Sequence, residues 1–170
     1  LYVGTNSGLW RTNGTTARTN KLSSNSANLL TRAGSQVFYT DFDELWVSDG
    51  TAAGTRLAKP FPNVIAQTIT MAGLGNYVYF DVDDGIHGVE LWRSDGSTAG
   101  TTLVKDVNTI TTDSTRVDFG YKIQFTEYSR QALFSASSGN GAQGHELWRT
   151  DGTAAGTILL ADSVPGSGST

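Results

Sequence analysis

One short segment recurs four times along this 170-residue chain, and no other feature constrains its fold as strongly. Aligned on tryptophan, the copies read GLWRTNGTTART (8–19), ELWVSDGTAAGT (44–55), ELWRSDGSTAGT (90–101) and ELWRTDGTAAGT (146–157). Together they hold every tryptophan in the chain. Self-similarity at this period marks tandem supersecondary units, each too small to bury its apolar surface alone. The intervals Trp10 to Trp46, Trp46 to Trp92 and Trp92 to Trp148 lengthen from 36 to 46 to 56 residues, so the motif is rigid while its connections vary.

Upstream of each copy lies a stretch rich in β-branched and aromatic residues: LYVGT (1–5), QVFYT (36–40), YVYFDV (77–82) and ALFSA (132–136). Such stretches read as strands. Another follows the motif in TRLAKP (55–60), TTLVKDV (101–107) and TILLADS (157–163), and a further one opens the units in NLLTRAG (28–34), AQTITMAG (66–73) and KIQFTEY (122–128). No segment keeps the 3.6-residue apolar period over helix length, which excludes a parallel sheet with crossover helices.

The expected fold is all-β, a β-propeller built of four-stranded antiparallel blades, because tandem four-stranded units bury their faces by stacking around an axis. The chain is one repeat domain, 1–170, with units at 1–27, 28–63, 64–107 and 121–163, an inserted loop at 108–120 and a tail at 164–170. The first unit lacks its leading strand, so fifteen strands are expected where four full blades would hold sixteen. A second subunit or the remainder of a parent chain is expected to complete that edge, which is otherwise open to pairing. Leu1 in place of an initiator methionine fits a mature or excised piece of something longer.

The motif Glu-Leu-Trp-x-x-Asp-Gly-Thr, followed by x-Ala-Gly-Thr and an apolar strand, resembles the bacterial ELWxxDGT repeat family. The copies at 44, 90 and 146 match it closely, and the copy at 90 continues as TTLVKDV. The first copy departs, with Gly8, Asn13 and Arg18 at the glutamate, aspartate and second glycine positions. The resemblance implies placement in large secreted or cell-surface bacterial proteins beside adhesive or other repeat modules. It implies no reaction.

Several function classes are excluded by what the chain lacks. The net charge is −4 and Lys and Arg are spread singly, so no basic stripe awaits nucleic acid. No run approaches the ~18 apolar residues of a membrane-inserting helix. There is no cysteine for a disulfide, a thiolate metal site or a nucleophile. GTNSG (4–8) has its serine one place late for a nucleophile elbow, and no glycine-rich loop leads into Lys-Ser/Thr. Asp83 and Asp84 are adjacent in sequence, which does not set two carboxyls across a glycosidic bond. The chain reads as a non-enzyme.

Four sets of residues remain as candidates. Asp49, Asp95 and Asp151, with Gly50, Gly96 and Gly152, read as structural turns in which the carboxylate accepts from backbone N–H groups and glycine takes positive φ. Asn13 with Gly14 holds the same place, and its amide keeps the acceptor without the charge, which argues against metal ligation. The formal glycosylation sequon Asn13-Gly14-Thr15 coincides with that turn.

Trp10, Trp46, Trp92 and Trp148 alternate with the preceding leucines and face the opposite side of the sheet. They form either the core between units or a ring of aromatic platforms for sugars or peptides. Asp81, Asp83 and Asp84, ahead of Gly85, suggest a calcium loop, although the glycine falls one residue early for an EF-hand; the alternative is a solvated acidic turn. Glu44, Glu90 and Glu146 are expected to pair with a backbone N–H or a basic side chain such as Arg93 or Arg149.

The function expected first is non-catalytic recognition or adhesion, with a glycan or protein ligand held by loops and no cofactor unless calcium binds. The alternatives are a structural repeat protein that self-assembles by strand or blade complementation, and a hydrolase with a central-channel site.

Overall fold

The computed structural model describes residues 1–61, 70–107, 125–128, 131–136 and 146–161. The expected loop at 108–120, the tail at 164–170 and the leading parts of the strands expected at 66–73 and 122–128 lie outside these residues. Over the described residues the chain is all-β, with fifteen strands in four antiparallel sheets and no α-helix.

Each sheet is a simple meander. The first holds β1 (Tyr2–Thr5), β2 (Gly8–Arg11) and β3 (Asn20–Ser23). The second holds β4 (Asn28–Ala33), β5 (Gln36–Asp41), β6 (Glu44–Ser48) and β7 (Arg56–Pro60). The third holds β8 (Met71–Leu74), β9 (Tyr77–Asp83), β10 (Val89–Ser94) and β11 (Thr102–Lys105). The fourth holds β12 (Thr126–Tyr128), β13 (Gln131–Ala136), β14 (Glu146–Thr150) and β15 (Ile158–Ala161).

The motif strand carries an irregularity at one place in all four sheets. Leu45 pairs with Lys59 while Trp46 pairs with Leu57, leaving Ala58 as an extra residue on the outer strand. Leu22, Val104 and Leu160 are the equivalent residues of the other sheets. Such a β-bulge bends the strand and re-aims a side chain. Here it puts one more apolar group on the side that carries the motif leucine.

The two sides of each sheet are the Leu face, with the motif leucine and the bulge residue, and the Trp face, with the tryptophan and the residue paired to it. Every observed sheet-to-sheet contact sets a Leu face on the next sheet's Trp face. Leu9 and Leu22 meet Tyr39 and Trp46; Phe38, Leu45, Val47 and Ala58 meet Val78, Phe80, Val82 and Trp92; Tyr79, Leu91 and Val104 meet Ala132, Phe134 and Trp148. Each motif leucine buried this way contributes about 1.5–3 kcal/mol.

The second and third sheets approach most closely at their first strands, β4 against β8, and the first and second at β1 against β4. Gly73 sits so near the carbonyl oxygen of Arg32 that a Cβ there would collide with backbone. Thr31 Oγ1 donates to the carbonyl oxygen of Met71 at 3.3 Å across the same seam.

Leu45→Ala is expected to cost about 2–5 kcal/mol, and Gly73→Val about 1–3 kcal/mol from overpacking against a carbonyl that cannot move aside. Urea unfolding followed by tryptophan fluorescence measures both.

Candidate functional site

Three places compete for a functional role: the motif loops, the tryptophans, and the loops that lead into the motif strand in the second and third sheets.

The motif loops spend their polar groups on themselves. Asp49 Oδ1 accepts from Thr51 N at 2.8 Å and from Thr51 Oγ1 at 2.7 Å. Asp95 does the same with Ser97, Asp151 with Thr153 and Asn13 with Thr15. A hydroxyl pair then closes each loop at 2.7 Å: Thr12 with Thr19, Ser48 with Thr55, Ser94 with Thr101, and Thr150 with Thr157. Gly14, Gly50, Gly96 and Gly152 take φ of +94°, +92°, +90° and +89°, a region that strains residues with a Cβ.

A second glycine, Gly54, Gly100 or Gly156, leaves no space for a Cβ beside the aspartate carboxylate. In the first copy Arg18 replaces it and a short 3₁₀ turn (Thr16–Arg18) forms instead. The hydrogen bonds from Thr51 hold the Asp49 carboxyl below its ordinary value; those from Ser97 and Thr153 do so for Asp95 and Asp151. These carboxylates are satisfied locally, as a structural turn requires.

The tryptophans are placed unequally. Trp92 and Trp148 are buried, the first edge-on to Phe61 and the second stacked on Phe134, so neither offers a platform to solvent. Lys59 Nζ lies 5.6 Å from the centre of the Trp92 ring and Lys105 Nζ 5.7 Å from that of Trp148, each lysine coming from the preceding sheet. Trp46 is half-buried, stacked on Tyr39, and its Nε1 donates to Glu44 Oε2 at 2.9 Å. Trp10 is also half-buried, beneath its own sheet's Lys21.

Of the two kinds of partner expected for the glutamates, Glu90 uses a backbone N–H: its Oε2 accepts from Val107 N at 2.8 Å, and the Arg93 guanidinium lies over the Tyr77 ring.

The acidic segment divides its carboxylates among nearby donors. Asp81 is buried and accepts from Thr70 N at 2.8 Å and Thr70 Oγ1 at 3.0 Å. Asp83 accepts from Gly85 N, and Asp84 accepts from Ile86 N and His87 N. His87 Nδ1 lies 2.8 Å from Asp84 Oδ2. Burial pushes the Asp84 carboxyl up, but the His87 and Ile86 hydrogen bonds outweigh it and the net direction is down. The hydrogen bond to Asp84 raises His87. Among the described residues no three His, Asp or Glu side chains are grouped to hold a metal ion. The chain's other histidine, His145, lies outside the described residues.

In the second and third sheets the loop that leads into the motif strand presents apolar side chains to solvent. Phe42, between Asp41 and Asp43 at the tip of the β5–β6 hairpin, is 75% exposed. Its φ of +50° is an outlier for a bulky residue, the kind of local strain found at ligand contacts. In the next sheet Ile86 is 70% exposed in the loop between β9 and β10, and Val89, the first residue of β10, is 52% exposed. Meander topology puts these loops at one end of their sheets and the motif loops at the other. Sequence reasoning passed over Phe42; its signal was a large aromatic inside an Asp-Phe-Asp-Glu turn, where neither core nor turn chemistry needs one.

No known protein-family model matches the chain, and no curated protein is similar to it. No helix among the described residues is long and apolar enough to cross a membrane.

Two pH effects follow. Asp49, Asp95 and Asp151 bind protons less readily folded than unfolded, so their stabilisation is complete above about pH 4 and disappears as pH falls through their lowered values. In acid unfolding monitored by circular dichroism, the triple variant D49N/D95N/D151N is expected to show a shallower loss below that pH. His87 has the opposite sign: its contribution is full below about pH 6.5 and is lost as pH rises through its raised value. An NMR titration is expected to find His87 above its ordinary value in the parent and closer to it in Asp84→Asn.

Proposed function

We propose that the four sheets are blades of a β-propeller of the ELWxxDGT repeat type, acting as a non-catalytic recognition or adhesion module of a secreted or cell-surface bacterial protein. The repeated order of Leu face on Trp face supports the blade reading, as does the close approach of the first strands β4 and β8, since blades fan outward from an axis. The resemblance of the motif supports the family and the location.

The observation that carries recognition is the exposure of Phe42, Ile86 and Val89 on rigid sheets, at the end opposite the motif loops. Loops on a rigid scaffold are where binding residues concentrate, and apolar tips flanked by Asp41, Asp43, Asp83 and Asp84 suit a protein surface or the apolar face of a sugar. The motif loops leave little for a ligand, because their donors and acceptors already bond one another.

Glycan and peptide arrays probed with the chain, with and without calcium, test this reading. Binding is expected in the parent and is expected to vanish in the F42S/I86S variant, whose thermal unfolding should stay close to the parent's because both side chains stand in water. An array blank for the parent under both conditions overturns the proposal.

A further inference from the structure

Three internal junctions use the same two surfaces, and the ends of the stack leave one of each uncovered. Leu9, Leu45 and Leu91 are at most 1% exposed, whereas Leu147, at the same place in the fourth sheet, is 43% exposed. The bulge residues behave alike: Leu22, Ala58 and Val104 are buried, and Leu160 is 43% exposed. The fourth sheet therefore ends in an open Leu face. At the other end, Val3 and Trp10 occupy the positions held by Tyr39 and Trp46, Phe80 and Trp92, and Phe134 and Trp148 in the covered Trp faces. Val3 is 41% exposed, so the first sheet begins in an open Trp face.

The polar contacts of the junctions are interrupted at the same two places. Arg11 Nη1 donates to the Gly50 carbonyl oxygen at 3.0 Å, and Arg56 Nη2 to that of Gly96 at 3.0 Å, each reaching the next sheet's motif turn. Tyr79 and Arg93 lie against Gly152 in the same manner. Arg149 is the equivalent of Arg11 and Arg93, and its buried Nε has no hydrogen-bond partner among the described residues. Gly14 is the equivalent of Gly50, Gly96 and Gly152, and nothing lies within 4 Å of the place a Cβ would take there. The arginine that reaches the next turn at the first junction thus recurs on the fourth sheet, and the first sheet carries an uncovered turn.

We infer that the open Leu face of the fourth sheet receives the open Trp face of the first sheet of a second copy of this chain, with Leu147 and Leu160 on Val3 and Trp10, and Arg149 on the Gly14 turn. The occupant follows from continuity with the three existing junctions. The contact is head-to-tail, and such contacts either close into a ring or extend into a fibre. Two copies bring eight sheets, within the four to eight blades of propeller rings, so two copies close the ring. This rests on the blade reading above but not on the ligand-binding role.

Sedimentation velocity on the 170-residue chain tests it. A dimer of the 18.1 kDa chain is expected. Leu147→Asp and Trp10→Asp should each yield folded monomers, and an equimolar mixture of the two should recover a heterodimer, because one intact junction remains between them. Arg149→Ala should weaken the dimer about tenfold.

A monomeric parent at all concentrations overturns the inference, as do a Trp10→Asp chain that dimerises as well as the parent, a mixture that stays monomeric, and a parent that grows into an open-ended series of oligomers. Circular dichroism confirms that each variant is folded. A monomeric parent that still binds the arrays sinks this inference alone. A dimer that binds nothing sinks the recognition reading alone.

Discussion

A three- or four-stranded sheet of short strands has too little area to hold together by itself, and in this chain both sides of each inner sheet are apolar. The Leu-face-on-Trp-face junction resolves that condition. A motif leucine, a bulge residue and a cross-strand partner from one sheet close over a tryptophan and its opposing residue from the next. Without the neighbour each sheet would expose two apolar faces; with it, Phe38, Phe80 and Phe134 become the interior of the protein. Stability is then expected to be distributed over junctions rather than held in one central core.

The motif's remaining letters serve the junction indirectly. Asp-Gly-Thr and the later Gly-Thr build a loop that satisfies its own polar groups, so it keeps one shape wherever it occurs. That shape is what the preceding sheet recognises: Arg11 and Arg56 donate to carbonyl oxygens of the turn glycines in the next unit. A rigid motif with connections of variable length is the expected signature of this arrangement, because loop and junction must fit each time while the opposite ends are under no such demand. Phe42, Ile86 and Val89 occupy the unconstrained end, where side chains can differ from unit to unit.

Much of the architecture was legible from local pattern. Alternation and β-branched content placed the strands, and the absence of helical periodicity excluded crossover helices. The Asn13 substitution pointed to a hydrogen-bonding role for the turn aspartates, and Asn13 Oδ1 accepts from Thr15 as Asp49 Oδ1 does from Thr51. The acidic segment was less legible. Three carboxylates close in sequence suggest a shared cation, whereas each accepts from donors of its own: Asp81 from Thr70, Asp83 from Gly85, and Asp84 from Ile86 and His87. The bulge was not legible either, since an extra residue in one strand shows only when its pairing partner is known.

The repeat, the strands and the turns were determined by the sequence alone, because each depends on side chains within a few residues: β-branched runs, an acceptor before a glycine, a hydroxyl seven residues from its partner. Equal motif letters could not say which copies would be buried. Leu91 and Leu147 both sit in Glu-Leu-Trp-Arg, yet one is enclosed and the other half in water. Only the tertiary structure decided that, because burial belongs to the surface opposite, and the fourth sheet has no successor among the described residues of the chain.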